Sequence, residues 1–226
     1  MTLGVALCVR SNLGSSVISG IPMAFSIAGA DGLAPGLTIG DYTNIMNIIL
    51  VMGQLLVLRR QFERVQLFQL VIGFVFGALI DLNMYFTSGL VCDTLPVQAL
   101  TQFAGCTVMA FGIAMEVRCG SVTMPGEGFP VAISRVTGKP FPKIKIMVDV
   151  TLVVLAVASC YYFWGAWQWN IIGGGTLFAM FYVGSVVKLL HKRMGWFDRL
   201  LCYRPGFRRY IFGLAKWMLH HEKSEK

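Results

Sequence analysis

The chain has 226 residues, 56% of them hydrophobic and only 13% charged, whereas a soluble domain carries about 25% charge to keep its surface wetted. A mean hydropathy of +0.67, with apolar runs of roughly 18 to 22 residues that match a ~30 Å hydrocarbon core, excludes a water-soluble globular domain. The net charge of +8 falls in short segments between those runs, so it reads as membrane topology and not as a nucleic-acid surface.

In chain order, the first apolar segment is Met1 to Val9, whose nine residues reach only about half the core thickness at 1.5 Å each. It has no basic region ahead of it and so is not a secretory signal; it is expected to be a stub, or a span whose start lies upstream. Next comes LGSSVISGIPMAFSIAG, a Gly/Ser/Pro-broken start followed by one short apolar helix. Backbone of that kind is tolerated at membrane depth only where protein buries it or it lines a cavity, which predicts a re-entrant half-helix with Ser15 and Ser16 as caps or polar ligands. A full span follows from Asp41 to Leu58, with Asp41, Asn44 and Asn47 on one face. That polar stripe needs a polar surface opposite, or interhelical hydrogen bonds.

The third span, Val65 to Phe86, carries Gly73 and Gly77 in a GxxxG spacing suited to close helix packing. Val97 to Val117 is the fourth and holds Glu116. GSVTMPGEGFPVAISRVTG then repeats the broken pattern as a second half-helix. Glu127 sits in its first turn, where the macrodipole favours a carboxylate and free N–H groups can also hold an anion. Ile144 to Trp164, with Asp149, and Ile171 to Leu190 complete the spans, and Trp164, Trp167 and Trp169 form an aromatic belt. GGGT at 173–176 reads as a Gly-rich helix entry before it reads as a phosphate cradle. From Gly195 the tail mixes aromatics with Arg and Lys and is too polar to span, so it is expected to lie on the inner leaflet against anionic lipid.

A shift of 108 positions matches Gly4, Ala6, Val9, Arg10, Gly20, Pro22, Ala24 and Ser26 to Gly112, Ala114, Val117, Arg118, Gly128, Pro130, Ala132 and Ser134. The register continues with Asp41 and Thr43 onto Asp149 and Thr151, then slips by one to put Leu70, Phe74 and Gly77 onto Leu177, Phe181 and Gly184. The chain thus divides into a first membrane repeat, 1–96, a second, 97–193, and a basic amphipathic tail, 194–226. With six spans, 17 of the 19 Lys and Arg residues fall on one side, which places both termini in the cytoplasm. Three spans per half is an odd number, so the second copy is inverted. The fold expected is all-α, a polytopic transmembrane bundle of about six spans built as two inverted repeats, each with a broken or re-entrant half-helix.

Charges inside such a bundle cost several kcal/mol each unless they have a partner, a proton or a water-filled path. Asp41, Asp81, Glu116, Glu127, Asp149, Arg10 and Arg118 are in that position; Arg118 can pair with Glu116 or Asp149, or snorkel to the interface. The candidate substrate or ion path therefore comprises Glu127, Asp149, Asp41, Asn44, Asn47, Ser15, Ser16, Arg118 and Glu116. The six cysteines show no metal-ligand spacing, and His191, His220 and His221 all lie in or near the tail. No catalytic pair, metal site or cofactor is readable.

LGSSVIS, GLTIGDYTNIMN, FGALIDL and above all MPGEGFPVAISRVTGKPF followed by KIMVDV resemble the YczE/YitT-like family of bacterial membrane proteins, over residues 1–193. The resemblance implies a multi-span protein of the bacterial cytoplasmic membrane, a permease or membrane accessory factor, with no cofactor and no agreed substrate. Relatives carry roughly ten more apolar residues before GVAL, which would bring the first helix to spanning length, and they tend to have proline where this chain has Val17. The function expected is a small-molecule secondary transporter or permease, not an enzyme, with lipid and an unidentified small molecule as partners. The alternative is a non-transporting membrane accessory or substrate-binding subunit of a larger complex; a homo-oligomer or a membrane partner is a further expectation.

Overall fold

The computed structural model describes residues 1–59, 64–119, 124–139 and 141–193. The basic tail, Arg60 and the side chain of Arg118 lie outside the described residues. Eight α-helices and no strand are found among those described. They are α1 (Thr2–Arg10), α2 (Gly20–Ala30), α3 (Ile39–Leu58), α4 (Phe68–Phe86), α5 (Leu95–Cys119), α6 (Pro125–Thr137), α7 (Phe141–Trp164) and α8 (Gly174–Arg193). Four of the predicted spans, in α3, α4, α5 and α7, are long and apolar enough to cross a membrane. The other two predicted spans are shorter helices. The apolar part of α8, Gly174–Leu190, is shorter than those four, and α1 has nine residues.

Local chemistry sets the helix ends. Thr38 and Asp41 form a reciprocal capping box at the start of α3. Pro125 opens α6, where its missing N–H costs nothing, and Gly138 closes it in the left-handed conformation. The burial pattern is the reverse of a soluble protein's. Ser11, Ser15, Asn47, Gln54, Gln69, Gln102 and Thr176 are buried, whereas Leu56, Phe86 and Phe181 are each at least 70% exposed. Apolar outside and polar inside is the arrangement that lipid, not water, selects.

The helices pack as two groups. One is a ring in which α2 contacts α3 and α7, and α6 contacts the same two; in the other, α1 packs on α4 and α5, and α5 packs on α8. Helix α3 joins the groups by packing along α4. Helices α1 and α5 cross antiparallel: Gly4 faces Met109, Gly112 faces Met1, and Ser11 reaches Gln102. Gly4 and Gly112, like Met1 and Met109, are 108 positions apart, so the crossing exchanges equivalent residues about a local two-fold. An antiparallel self-pairing puts that axis across the helices.

Contacts also fix which helix ends are level. Gly40 meets Asp81, Arg10 meets Met84, Gln102 meets Gly175, and Asp31 meets Trp164. The end of α1, the start of α3, the end of α4, the start of α5, the end of α7 and the start of α8 therefore share one end of the bundle. The chain leaves α1 and enters α3 at that same end, so α2 is a re-entrant excursion between them. At the opposite end Gln54 meets Gln69 and Pro125, and α6 is bracketed in the same way by α5 and α7. The half-helix expectation holds for both short elements.

Under the 108-residue shift, α1 to α4 correspond to α5 to α8, and most contacts map onto one another: α1·α4 onto α5·α8, α2·α3 onto α6·α7, and α2·α7 onto α3·α6. The close packing of α3 on α4 has no counterpart, because α7 and α8 form no such interface.

Candidate functional site

The residues singled out in the sequence do not meet in one place. Ser15 and Ser16 belong to a polar knot between the loop after α1 and the start of α8. Ser15 donates to the Ile171 carbonyl at 3.1 Å, Ser16 and Ser19 share a hydrogen bond of 2.7 Å, and Ser11 donates to Gln102 Oε1 at 2.7 Å. Gln102 in turn donates to the Gly175 carbonyl at 2.9 Å. Gly14, at φ +117°, lies against Gly173 and Thr176, and a β-carbon on Gly173 would strike the Leu13 carbonyl. The GGGT stretch thus serves close backbone approach to the serine loop.

Asp41 is exposed and spent on its cap, with its carboxylate accepting from the Thr38 N–H at 3.3 Å. Asn44 and Asn47 do share a face, but they point into the α3·α4 interface, where they press on Gly77 and Gly73. Asn44 Oδ1 and Asn47 Nδ2 are buried there without a hydrogen-bond partner. The same seam continues to Asp81, which accepts from Thr38 Oγ1 at 2.7 Å and from the Gly40 N–H at 2.8 Å. At its other end Gln54 donates to Gln69 at 2.9 Å.

Glu127 and Asp149 are brought together by Lys145, which is not among the candidate path residues. Lys145 Nζ lies 3.1 Å from Glu127 Oε1 and 2.9 Å from Asp149 Oδ1. All three side chains are mostly buried, at 22%, 19% and 14% exposure. The i,i+4 spacing of Lys145 and Asp149 was the available signal. Glu116 is separate from this triad, its Oε1 accepting from the Met124 N–H at 2.8 Å while its Oε2 is buried and unpartnered. Among the described residues no group of three His, Cys, Asp or Glu could hold a metal.

None of these groups lines the cavity at the centre of the helix ring. That groove, of about 640 Å³, is walled by α2, α3, α6 and α7, a volume within the ~300–1,000 Å³ range of small-molecule sites. The two short helices offer equivalent residues to it, Ile21 and Phe25 from α2 against Phe129 and Ile133 from α6. Glu127 is two residues before Phe129 and so about 200° around α6 from that wall. The structure thus distributes Ser15 and Ser16, the α3 polar residues, and Glu127 with Asp149 over a serine knot, an α3·α4 seam and an ion triad, all apart from the apolar groove.

No curated protein and no solved structure matches the chain. The profile of one family covers residues 1–192, nearly the whole of the described helices, and on that match the chain belongs to the family of unknown function DUF6198.

Proposed function

We propose that the protein is a small-molecule secondary transporter of the bacterial cytoplasmic membrane, with 1–96 and 97–193 as inverted repeats and both termini in the cytoplasm. The observation that carries this function is the unequal state of two equivalent helix pairs: α3 lies packed on α4, while α7 stands apart from α8. In an inverted-repeat protein, two halves in different conformations can exchange them, and the exchange opens the binding site to the other side. The exchanged state closes α7 on α8 and parts α3 from α4. The resemblance to the YczE/YitT-like family, whose members are described as permeases or membrane accessory factors, is compatible with this activity, and the segregation of Lys and Arg supports the orientation.

Disulfide trapping in native membranes tests it. Asn44→Cys with Gly77→Cys reports the observed pair, and Leu152→Cys with Gly184→Cys reports its counterpart. A transporter gives cross-linked product for both pairs. A non-transporting accessory subunit, the second reading, gives product for the first pair alone; it is favoured by the lack of any charged side chain in the groove wall that could couple an ion to substrate.

A further inference from the structure

The chemistry of the groove wall narrows what can occupy it. Among its lining side chains only Tyr42 and Thr151 carry a polar group. The Tyr42 hydroxyl donates to the Pro35 carbonyl at 2.6 Å, and Thr151 donates to the Met147 carbonyl at 2.8 Å. Each hydroxyl has one proton, so no side chain in the wall has a donor left for a ligand. The two hydroxyl oxygens are the wall's only side-chain oxygen acceptors, so a sugar, an amino acid or an ion placed there would lose most of its hydration, at a cost of roughly 2–7 kcal/mol for each polar group left unpaired.

Two further observations bear on the source of the occupant. Ile45, Ile49, Met147 and Leu155 line the groove and are also exposed on the lipid-facing surface, Ile49 at 61%, so the groove opens sideways between α3 and α7. The wall residues Val148, Leu152 and Leu155 of α7 correspond, 108 positions on, to Gly40, Asn44 and Asn47, the face of α3 that α4 covers. On that α7 face Val148 and Leu152 are buried in a cluster with Met46 and Leu50 of α3, while Leu155 stays half exposed at the mouth of the groove.

We infer that this groove binds the hydrocarbon part of a molecule dissolved in the bilayer, which enters laterally between α3 and α7. This deepens the transport function by naming its substrate class, an apolar or apolar-tailed compound, and it separates recognition from the Glu127–Lys145–Asp149 triad.

The test uses the full chain in phosphatidylcholine nanodiscs and hexadecanol carrying a mid-chain diazirine. After irradiation, peptide mapping should place adducts on Ile45, Ile49, Met147 and Leu155 at about fivefold or more the level on Phe74 and Val75, exposed residues of α4 that report ordinary lipid contact. Unlabelled hexadecanol should compete and glycerol should not. Ile49→Trp, at an exposed position that folding tolerates, should depress groove labelling and leave Phe74 and Val75 unchanged. Equal labelling of groove and α4 face would overturn the inference, because the groove would then hold only bulk acyl chains. Indifference to Ile49→Trp, or protection by glycerol, would overturn it too. Selective labelling without Leu152–Gly184 cross-linking would leave the hydrocarbon site standing and remove transport; cross-linking without selective labelling would do the reverse.

Discussion

Lys145 holds two carboxylates from different helices, Glu127 of α6 and Asp149 of α7, at the mostly buried α6·α7 contact. Removing the ammonium leaves two like charges facing each other in a poorly solvated place, which costs more than removing one carboxylate. Lys145→Met should therefore lower stability by about 1–3 kcal/mol, discounted for the partial exposure of the group, and Glu127→Gln by less. Adding Glu127→Gln and Asp149→Asn to Lys145→Met should restore much of the loss. Thermal unfolding of the purified variants checks this order, and equal effects of Lys145→Met and Glu127→Gln would contradict it. At this scale the sequence showed which residues were polar and on which face. Asn44 and Asn47 do share a face, but their partners are glycines of α4, which spacing within α3 cannot reveal. The role of Lys145 is not legible from its spacing to Asp149, because a lysine four residues from an aspartate also suits a solvated helix end.

Gly4 and Gly112 let α1 and α5, one helix from each repeat, cross closely. A β-carbon on Gly4 would stand 2.6 Å from the Gly105 carbonyl, and one on Gly112 would meet Met1. Small residues at such a crossing let backbones pack where lipid supplies no hydrophobic drive. Gly4→Leu and Gly112→Leu should each destabilise the protein by several kcal/mol through overpacking. Gly184→Leu, at a position with nothing within 4 Å, should fold normally, yet it should weaken the Leu152–Gly184 approach that transport requires. Melting temperatures separate the first two variants from the third, and a Gly184→Leu protein that melts as low as Gly4→Leu would count against this packing. The helices themselves were largely legible, since apolar length marks α3, α4, α5 and α7 and Gly/Pro punctuation marks the short α2 and α6. The α8 start was placed at Ile171, whereas Ile171 and Ile172 are buried in the preceding loop, a tertiary contact that hydropathy counts as helix.

For the whole molecule, the 108-residue repeat foretold which helices correspond, and the contacts between them follow it. It could not foretell the groove, because that space is set by how α2, α3, α6 and α7 pack around one another, and two equivalent sequences do not record which of the helix pairs α3·α4 and α7·α8 is packed. In the proposed architecture three crossings and one re-entrant helix are used twice with opposite orientation. This architecture is tested most directly by labelling single cysteines with a membrane-impermeant maleimide in spheroplasts and in inverted vesicles. Asp93→Cys and Ala166→Cys should react only from the periplasmic face, and Arg59→Cys and Lys143→Cys only from the cytoplasmic face. Labelling of Arg59→Cys and Lys143→Cys from opposite faces would mean that α6 crosses the bilayer and the halves run parallel, and the account would fail.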